Sequence, residues 1–189
     1  MVPASIKIKW YYYSNELLSE YEFDLVVVGA GPAGSSAAYS AAKNGIKVAL
    51  LEKEENVAQT VRTSGVTWID YANEFGIPED CYNPIRTYKF CSPKNQVSIS
   101  DEHAKAAVLD VRKTYRFLAE QAVKNGAEIF VNTNVTDVIT EDGKVVGIKA
   151  TLQNEEIVFH AKVVIDASGF QSVVSKSLGL VKQLSLIHI

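Results

Sequence analysis

Residues 24–34 read Asp-Leu-Val-Val-Val-Gly-Ala-Gly-Pro-Ala-Gly, and this stretch decides the fold. Residues 24–28 are a short, mostly β-branched run that ends abruptly in glycines, which predicts a buried parallel strand. Residues 32–43 are rich in Ala and Ser and predict a closely packed helix that ends at Asn44-Gly45. A second apolar strand is predicted over residues 46–51, so the segment is a βαβ unit with a right-handed crossover.

The glycines have the spacing Gly-x-Gly-x-x-Gly between a strand and a helix, which is typical of dinucleotide binding. Gly29 allows a tight turn, Gly31 lets the backbone approach a pyrophosphate, and Gly34 lets the helix pack closely on the sheet. The helix N-terminus adds unpaired N–H groups and a partial positive charge. We therefore expect the whole segment to contact a cofactor: Gly29, Ala30, Gly31, Pro32, Ala33 and Gly34.

The residues that follow continue this pattern. Ala38 keeps the helix close to the strands, Gly45 ends the helix, and Val48 points into the core. Glu52 ends the second strand, where a carboxylate can accept hydrogen bonds from ribose hydroxyls. We expect Glu52 and the adjacent Lys53 to belong to the cofactor site.

The rest of the chain reads as further strands with one more long helix. Alternating residues on both sides of a turn at residues 92–95 predict an antiparallel hairpin inserted into the domain. Helical spacing of apolar residues predicts a helix closed by Gly126, and Asp142-Gly143 and Asn154-Glu155 mark two tight turns. The predicted elements are hairpin strands 84–91 and 96–100, helix 112–125, a parallel strand at 127–131, meander strands 134–140, 145–152 and 157–160, and a buried strand at 163–165.

Composition and charge exclude several classes of protein. Of 189 residues, 47% are hydrophobic and 22% are charged, which is a globular composition. The formal net charge of -3 argues against a nucleic-acid partner, because nucleic-acid binders are usually basic. The chain has no apolar run as long as a membrane span, and its N-terminus lacks the apolar region of a secretory signal. We expect a cytoplasmic protein with no transmembrane segment, while peripheral membrane contact stays open.

The cysteines and histidines form no motif for a metal or a nucleophile. Cys81 and Cys91 make no CxxC pair, which argues against a zinc site and a dithiol site, and we expect two reduced thiols. His103, His160 and His188 are isolated in the sequence. We therefore expect no metal site, and the sequence identifies no catalytic residue.

The order of the later elements distinguishes FAD from NAD, since both cofactors contain the ADP moiety that the glycine motif recognises. A nicotinamide-binding domain usually continues with more βαβ units, whereas this chain continues with a hairpin, a helix, a strand and a meander. That order, together with the strand end Ala167-Ser168-Gly169, resembles the glutathione-reductase-like flavoprotein fold over residues 23–180. The resemblance implies an α/β, Rossmann-like FAD-binding domain, with a β-meander as the crossover of its parallel sheet. It also implies that Ala167, Ser168 and Gly169 contact FAD.

The same resemblance implies two further cofactor contacts. Residues 109–119 are similar to the helix segment of flavin monooxygenases and geranylgeranyl reductases whose leading arginine lies near the cofactor. On that match Arg112 faces an FAD phosphate or the adenosine. The backbone around Asn134-Val135 lies near the adenine, because the chain passes there after the third strand.

Within that fold the chain most resembles the geranylgeranyl reductase and electron-transfer-flavoprotein quinone oxidoreductase group. Residues 61–66, Val-Arg-Thr-Ser-Gly-Val, stand where that group has a Cys-Gly-Gly-like loop. Ser64 replaces the cysteine and only Gly65 remains, a departure that weakens the assignment of that specific reductase activity. The aromatic hydroxylases of this fold have Ala-Asp-Gly at the strand end, where this chain has Ser168, and that disfavours an NAD(P)H-dependent hydroxylase.

These observations leave three hypotheses about function. The first is an FAD-dependent oxidoreductase that transfers hydride through bound flavin to an unsaturated, lipid-like small molecule, with NAD(P)H as a candidate external electron donor. The second is a flavin-dependent monooxygenase or halogenase. The third is a non-catalytic nucleotide-binding fragment.

The resemblance also predicts a division of the chain. Residues 1–22 are a lead-in, and residues 23–183 are the N-terminal part of the FAD-binding domain. Within it, an insertion at about 60–105 belongs to the substrate domain, and its hairpin expects partner strands from the rest of that domain. Residues 184–189, Leu-Ser-Leu-Ile-His-Ile, resemble a translated adaptor from DNA library preparation. The chain is thus expected to be an incomplete domain that is inactive alone, with the motif for the ribityl chain beyond residue 189.

Overall fold

The computed structural model describes residues 19–153 and 155–181. Most of the predicted lead-in, the predicted adaptor tail at 184–189, and Asn154 of the second predicted turn lie outside the described residues. Residues 182 and 183, the last two of the predicted FAD-binding domain, also lie outside them.

The described residues form eleven strands and four α-helices, numbered in chain order. The strands are β1 (Ser19–Val28), β2 (Val48–Leu51), β3 (Val66–Trp68), β4 (Tyr82–Ile85), β5 (Thr87–Cys91), β6 (Gln96–Ser100), β7 (Ala106–Leu109), β8 (Glu128–Phe130), β9 (Thr133–Glu141), β10 (Lys144–Leu152) and β11 (Glu155–Asp166). The helices are α1 (Pro32–Lys43), α2 (Ile69–Glu74), α3 (Val111–Lys124) and α4 (Val173–Ser177). Single 3₁₀ turns lie at Glu79–Cys81 and Gly169–Gln171.

The chain divides into two compact units. Of the described residues, 19–57 and 118–181 form the first unit, and Ala58–Phe117 forms the second unit. The second unit includes more residues than the insertion predicted at about 60–105. Its membership of a substrate domain stays a prediction.

The first unit is built on a six-stranded sheet with the order β8-β2-β1-β11-β10-β9. Its first four strands are parallel, and β11, β10 and β9 form an antiparallel meander. This confirms the predicted α/β fold, in which a parallel sheet is completed by a meander. Strand β2 and the C-terminal half of β1 are buried, with Val26, Val27 and Val48 fully inaccessible to solvent. The buried run in β1 and β2 explains why these segments are continuously apolar rather than alternating.

Strand β11 corrects one prediction. The sequence predicts two strands, at 157–160 and 163–165, but the structure has one twelve-residue strand. Its first half pairs with β10, from Glu155 to His160, while its pairing with β1 extends from Ile157 to Asp166. The register with β1 is the same on both sides of the predicted break, so the last meander strand passes directly into the parallel sheet.

Strand β1 also begins earlier than predicted. Residues 19–23 pair with β11, so residues 19–22 of the predicted lead-in belong to the sheet. The reason is an aromatic cluster: Tyr21 stacks on Phe159 with ring centroids 5.1 Å apart, and Phe130 meets Phe159 edge to face at 5.0 Å. Such aromatic pairs stabilise the fold in addition to the stabilisation that comes from burying their apolar area.

The second unit contains a three-stranded antiparallel sheet, β3-β7-β4, and a separate two-stranded ribbon, β5-β6. The ribbon confirms the predicted hairpin, but its first strand is shorter than the predicted 84–91. Residues 82–85 pair with β7 instead, and only Thr87–Cys91 pairs with β6. The sequence interpretation missed β3, α2 and β7, which are too short to show a clear period.

Helix α1 packs closely on the end of β1 because of Gly34. A Cβ added to Gly34 would overlap the carbonyl oxygen of Gly29 and would lie 3.1 Å from the Cβ of Ala167. Gly31 differs, because an added Cβ there meets no atom of the described residues within 4 Å, chain neighbours aside.

This contrast predicts effects of different size for two Gly→Ala substitutions. Alanine usually stabilises a helix interior by about 1 kcal/mol relative to glycine. We expect Gly34→Ala instead to lower the free energy of unfolding by about 1–3 kcal/mol, because the methyl group overlaps backbone that cannot yield. Gly31→Ala should change it by less than about 0.5 kcal/mol. Urea unfolding of both variants is the measurement, and equal effects would contradict the close packing.

Candidate functional site

The turn from β1 into α1 is fixed by the chain's own packing. Gly29 has a φ of +103°, and its N–H donates to the carbonyl oxygen of Leu51 at 2.8 Å. A Cβ on Gly29 would lie 2.5 Å from the carbonyl oxygen of Ala167. Both the backbone conformation and the neighbouring strand therefore require glycine at this position.

Neither the backbone conformation of Gly31 nor the packing of the described residues requires glycine at this position. Gly31 is the N-cap residue of α1 with a φ of -68°, a conformation open to any residue, and a Cβ added to it would meet no described atom within 4 Å, chain neighbours aside. Among the described residues no side chain caps the N-terminus of α1, no acidic residue lies in its first turn, and Pro32 has no N–H to satisfy. A helix end with free N–H groups and bare backbone fits an anionic group such as a pyrophosphate.

Ser35 is a residue that the sequence interpretation did not assign to the site. It is fully buried, and its hydroxyl donates to the carbonyl oxygen of Ala30 at 3.2 Å. The hydroxyl therefore ties the glycine loop to the first turn of α1. A serine beside the third glycine of the motif was the available signal.

The carboxylate of Glu52 lies at the glycine loop. Its Oε2 accepts the N–H of Ala30 at 3.1 Å, and its Oε1 accepts the N–H of Glu54 at 3.0 Å. The backbone of Glu52 is fixed as well, since its N–H donates to Phe130 at 2.8 Å. Each carboxylate oxygen has a further lone pair for an outside hydroxyl. The predicted neighbour Lys53 is exposed, and its Nζ donates to Gln171 at 3.3 Å.

The segment Ala167-Ser168-Gly169 lies at the end of β11, against the loop. The N–H of Ala167 donates to Val28 at 2.9 Å, and Gly169 is exposed with a φ of +68°. The Ser168 hydroxyl donates to Oδ1 of Asp166 at 2.5 Å and accepts the N–H of Val173 at 2.9 Å. Its proton is thus used inside the protein and is not available to a ligand.

Asp166 is a second residue that the sequence interpretation left without a role. Its two carboxylate oxygens accept four hydrogen bonds, from the N–H and hydroxyl of Ser168 and of Ser175. Partial burial of Asp166 raises the pKa of its carboxyl, but these hydrogen bonds outweigh that effect and keep the pKa below its usual range. The carboxyl is therefore ionised at neutral pH.

Val135 and Arg112 are two further residues predicted to contact the cofactor. The side chain of Val135 is buried in the core of the sheet, paired through its backbone with Ala150, so only its backbone is open to a contact. Arg112 belongs to the second unit, in the first turn of α3, where it donates to the carbonyl oxygen of Gln59 at 3.5 Å. Within the first unit, the structure brings the glycine loop, Glu52 and residues 166–169 together.

The loop at residues 61–66 lies in the second unit. Gly65 has a φ of +74°, and an added Cβ would lie 2.8 Å from the carbonyl oxygen of Leu109, so its glycine is structural. Ser64, which stands in place of the cysteine, is exposed. Both cysteines are free thiols, and burial raises the pKa of the Cys81 thiol, with a further contribution from Asp80.

The described part of the chain has neither a metal-binding cluster of side chains nor a membrane-spanning helix. Residues 19–153 and 155–181 contain no cluster of three or more His, Cys, Asp or Glu side chains arranged to bind a metal ion. No helix within those residues combines the length and the apolar character needed to cross a bilayer.

Comparison with known proteins assigns the family. The family described as FAD dependent oxidoreductase matches residues 24–177. The digeranylgeranylglycerophospholipid reductase of Methanocaldococcus jannaschii is 35% identical over 162 residues, which are 84% of this chain and 41% of that protein. The chain thus spans about two fifths of the length of this curated relative.

Solved structures agree with this assignment. A geranylgeranyl bacteriochlorophyll reductase-like protein from Thermoplasma acidophilum superposes with a TM-score of 0.78 at 32% identity, covering 86% of this chain and 43% of that one. A flavin-dependent brominase superposes with a TM-score of 0.66 at 27% identity, covering 84% of this chain and 41% of the brominase. The chain belongs to the FAD dependent oxidoreductase family, whose match covers its glycine loop, Glu52 and the end of β11.

Proposed function

We propose that the first unit binds the ADP part of FAD at the glycine loop and that the protein is an FAD-dependent oxidoreductase. The observation that carries this proposal is Gly31, whose lack of a side chain neither its backbone conformation nor its protein neighbours explain. A pyrophosphate lying directly on the backbone explains it.

The chain's own residues would hold the cofactor in four ways. The N-terminus of α1 offers its N–H groups and dipole to the phosphates. Gly29 and Gly34 shape the turn, and Glu52 accepts hydrogen bonds from the ribose. The other proposed contacts are Ala30, Pro32, Ala33, Lys53, Arg112, the backbone of Val135, and residues Ala167, Ser168 and Gly169. FAD supplies the redox chemistry when it is bound.

The substrate that we propose is an unsaturated, lipid-like molecule. The name of the Methanocaldococcus jannaschii relative indicates reduction of such a lipid, and the Thermoplasma acidophilum protein is named for a related reductase. The second unit supports this choice, since it exposes several large apolar side chains. These are Val66, Trp68, Tyr71, Phe75, Phe90, Val97 and Ile99.

Three further parts of the proposal concern the surroundings of the protein. Peripheral contact with a membrane would give access to a lipid substrate, and the same exposed apolar side chains suit it. NAD(P)H is the proposed external electron donor, and the cytoplasm is the proposed location.

A flavin-dependent monooxygenase or halogenase is the second candidate function, favoured by the similarity to the brominase.

A side chain that fills the open space at Gly31 tests the cofactor site. We expect Gly31→Val to weaken FAD binding at least about a hundredfold, because the branched side chain occupies the position proposed for the pyrophosphate. The measurement is a titration of the apoprotein with FAD, followed by flavin fluorescence. The thermal midpoint of the apoprotein should fall by no more than a few degrees, the effect of a poorer N-cap residue, since a Cβ on Gly31 meets no described atom within 4 Å, chain neighbours aside.

Ser40→Val is the matched control for that experiment. It adds the same branched side chain to the exposed face of α1, close to its other end. FAD affinity should equal that of the wild type. Equal FAD binding by Gly31→Val and Ser40→Val would refute the proposed site.

The electron donor and acceptor can be tested in a protein that spans the full length of the relatives. We expect NADPH or NADH to bleach the flavin absorbance without oxygen, and an unsaturated isoprenoid lipid to restore it. Restoration only by oxygen, with incorporation of oxygen or halide into an organic substrate, would favour the monooxygenase or halogenase. Failure of both nicotinamides to bleach the flavin would assign the donor to another class.

A further inference from the structure

We propose that Asp166 is a positioning residue for the cofactor, which fixes the end of β11 so that the Ala167 peptide sets the shape of the glycine loop. The inference rests on the proposed function insofar as the loop binds the FAD pyrophosphate. Asp166 itself need not contact the cofactor, because its effect is transmitted through the backbone that follows it.

The carboxylate joins two segments of chain with four hydrogen bonds. Its Oδ1 accepts the N–H of Ser168 at 3.2 Å and the hydroxyl at 2.5 Å, while Oδ2 accepts the N–H of Ser175 at 2.8 Å and the hydroxyl at 2.7 Å. The Ser168 hydroxyl in turn accepts the N–H of Val173. One side chain therefore fixes the strand end, the turn after it and the start of α4.

The fixed end of β11 lies close against the glycine loop. The N–H of Ala167 donates to Val28, the residue immediately before Gly29. A Cβ added to Gly29 would lie 2.5 Å from the carbonyl oxygen of Ala167. A Cβ added to Gly34 would lie 3.1 Å from the Cβ of Ala167. The strand end and the loop therefore approach too closely for a side chain between them, and we expect a displacement of Ala167 to displace the loop.

The charge of Asp166 is needed for this function. Four donors converge on its two oxygens, and an ionised carboxylate only accepts hydrogen bonds. In Asp166→Asn, one oxygen can still accept from Ser168, but the amide N–H group that replaces Oδ2 faces the N–H of Ser175. Two donors then face each other, which moves the segments apart.

Asp137 offers a matched control at the C-terminal end of α4. It also accepts a serine hydroxyl from this helix, that of Ser177 at 2.6 Å, and the N–H of Val138 at 2.8 Å. It lies on β9, is exposed, and has no hydrogen bond to the residues next to the glycine loop. Asp137→Asn therefore perturbs the anchoring of α4 without perturbing Ala167.

The first measurement needs no ligand. Amide hydrogen exchange of the apoprotein should accelerate about tenfold in residues 28–35 of Asp166→Asn, whereas Asp137→Asn should leave that segment unchanged. Ser175→Ala removes only one of the four hydrogen bonds and should accelerate exchange by about threefold, which keeps the test valid if Asp166→Asn fails to fold. Acceleration confined to residues 166–177 would overturn the inference and leave Asp166 a local structural residue.

The second measurement is ADP binding by titration calorimetry. We expect Asp166→Asn to weaken ADP binding about tenfold and Asp137→Asn not to change it. The loss caused by Asp166→Asn should shrink in a Ser175→Ala background, since the two residues act in one network. Unchanged ADP affinity in Asp166→Asn, with wild-type binding intact, would overturn the inference. Wild-type protein that binds neither ADP nor FAD would refute the proposed function, and the exchange measurement would still decide whether Asp166 positions the loop.

Discussion

The contact between the Ala167 carbonyl oxygen and Gly29 is the constraint on which the site depends. Parallel strands β1 and β11 end side by side, and the chain leaving β1 has to turn into α1 across the peptide that leaves β11. Only glycine fits at that crossing, because a Cβ would lie 2.5 Å from backbone that neither strand can move. The strand end, the loop and the helix N-terminus therefore form one rigid element.

The three glycines of the motif have two different physical origins. Gly29 and Gly34 are required by the protein's own packing, and substitutions there act on folding. A Cβ on Gly31 would point into open space, so a substitution there should act chiefly on binding. A spacing pattern in a sequence does not separate these origins, whereas the space around each Cβ position does. Because the two origins differ, stability can be tested at Gly34 and FAD affinity at Gly31, independently of each other.

Much of the first unit could be predicted from sequence because its elements have strong local signals. Helix α1 has the predicted bounds, since Pro32 begins it and Asn44-Gly45 ends it. The role of Asp166 could not be predicted, because it depends on Ser175 returning to the same carboxylate through a turn with Ser172 in the left-handed region. The break of the predicted strand 84–91 was equally hidden, since residues 82–85 pair with β7, a strand later in the chain. Local periodicity reports which face of a segment is apolar, but not which partner it finds.

The two units bear on different parts of the proposed function. The geometry that suits an ADP moiety lies in the first unit, where buried strands and a backbone-lined loop leave little freedom. The apolar side chains that suit a lipid-like molecule lie in the second unit, on short elements with exposed faces, such as Trp68, Tyr71 and Phe75 around α2. Buried backbone geometry tolerates few substitutions, whereas exposed apolar side chains can be exchanged at small free-energy cost. Members of one flavoprotein family can therefore share a cofactor site while they act on different substrates.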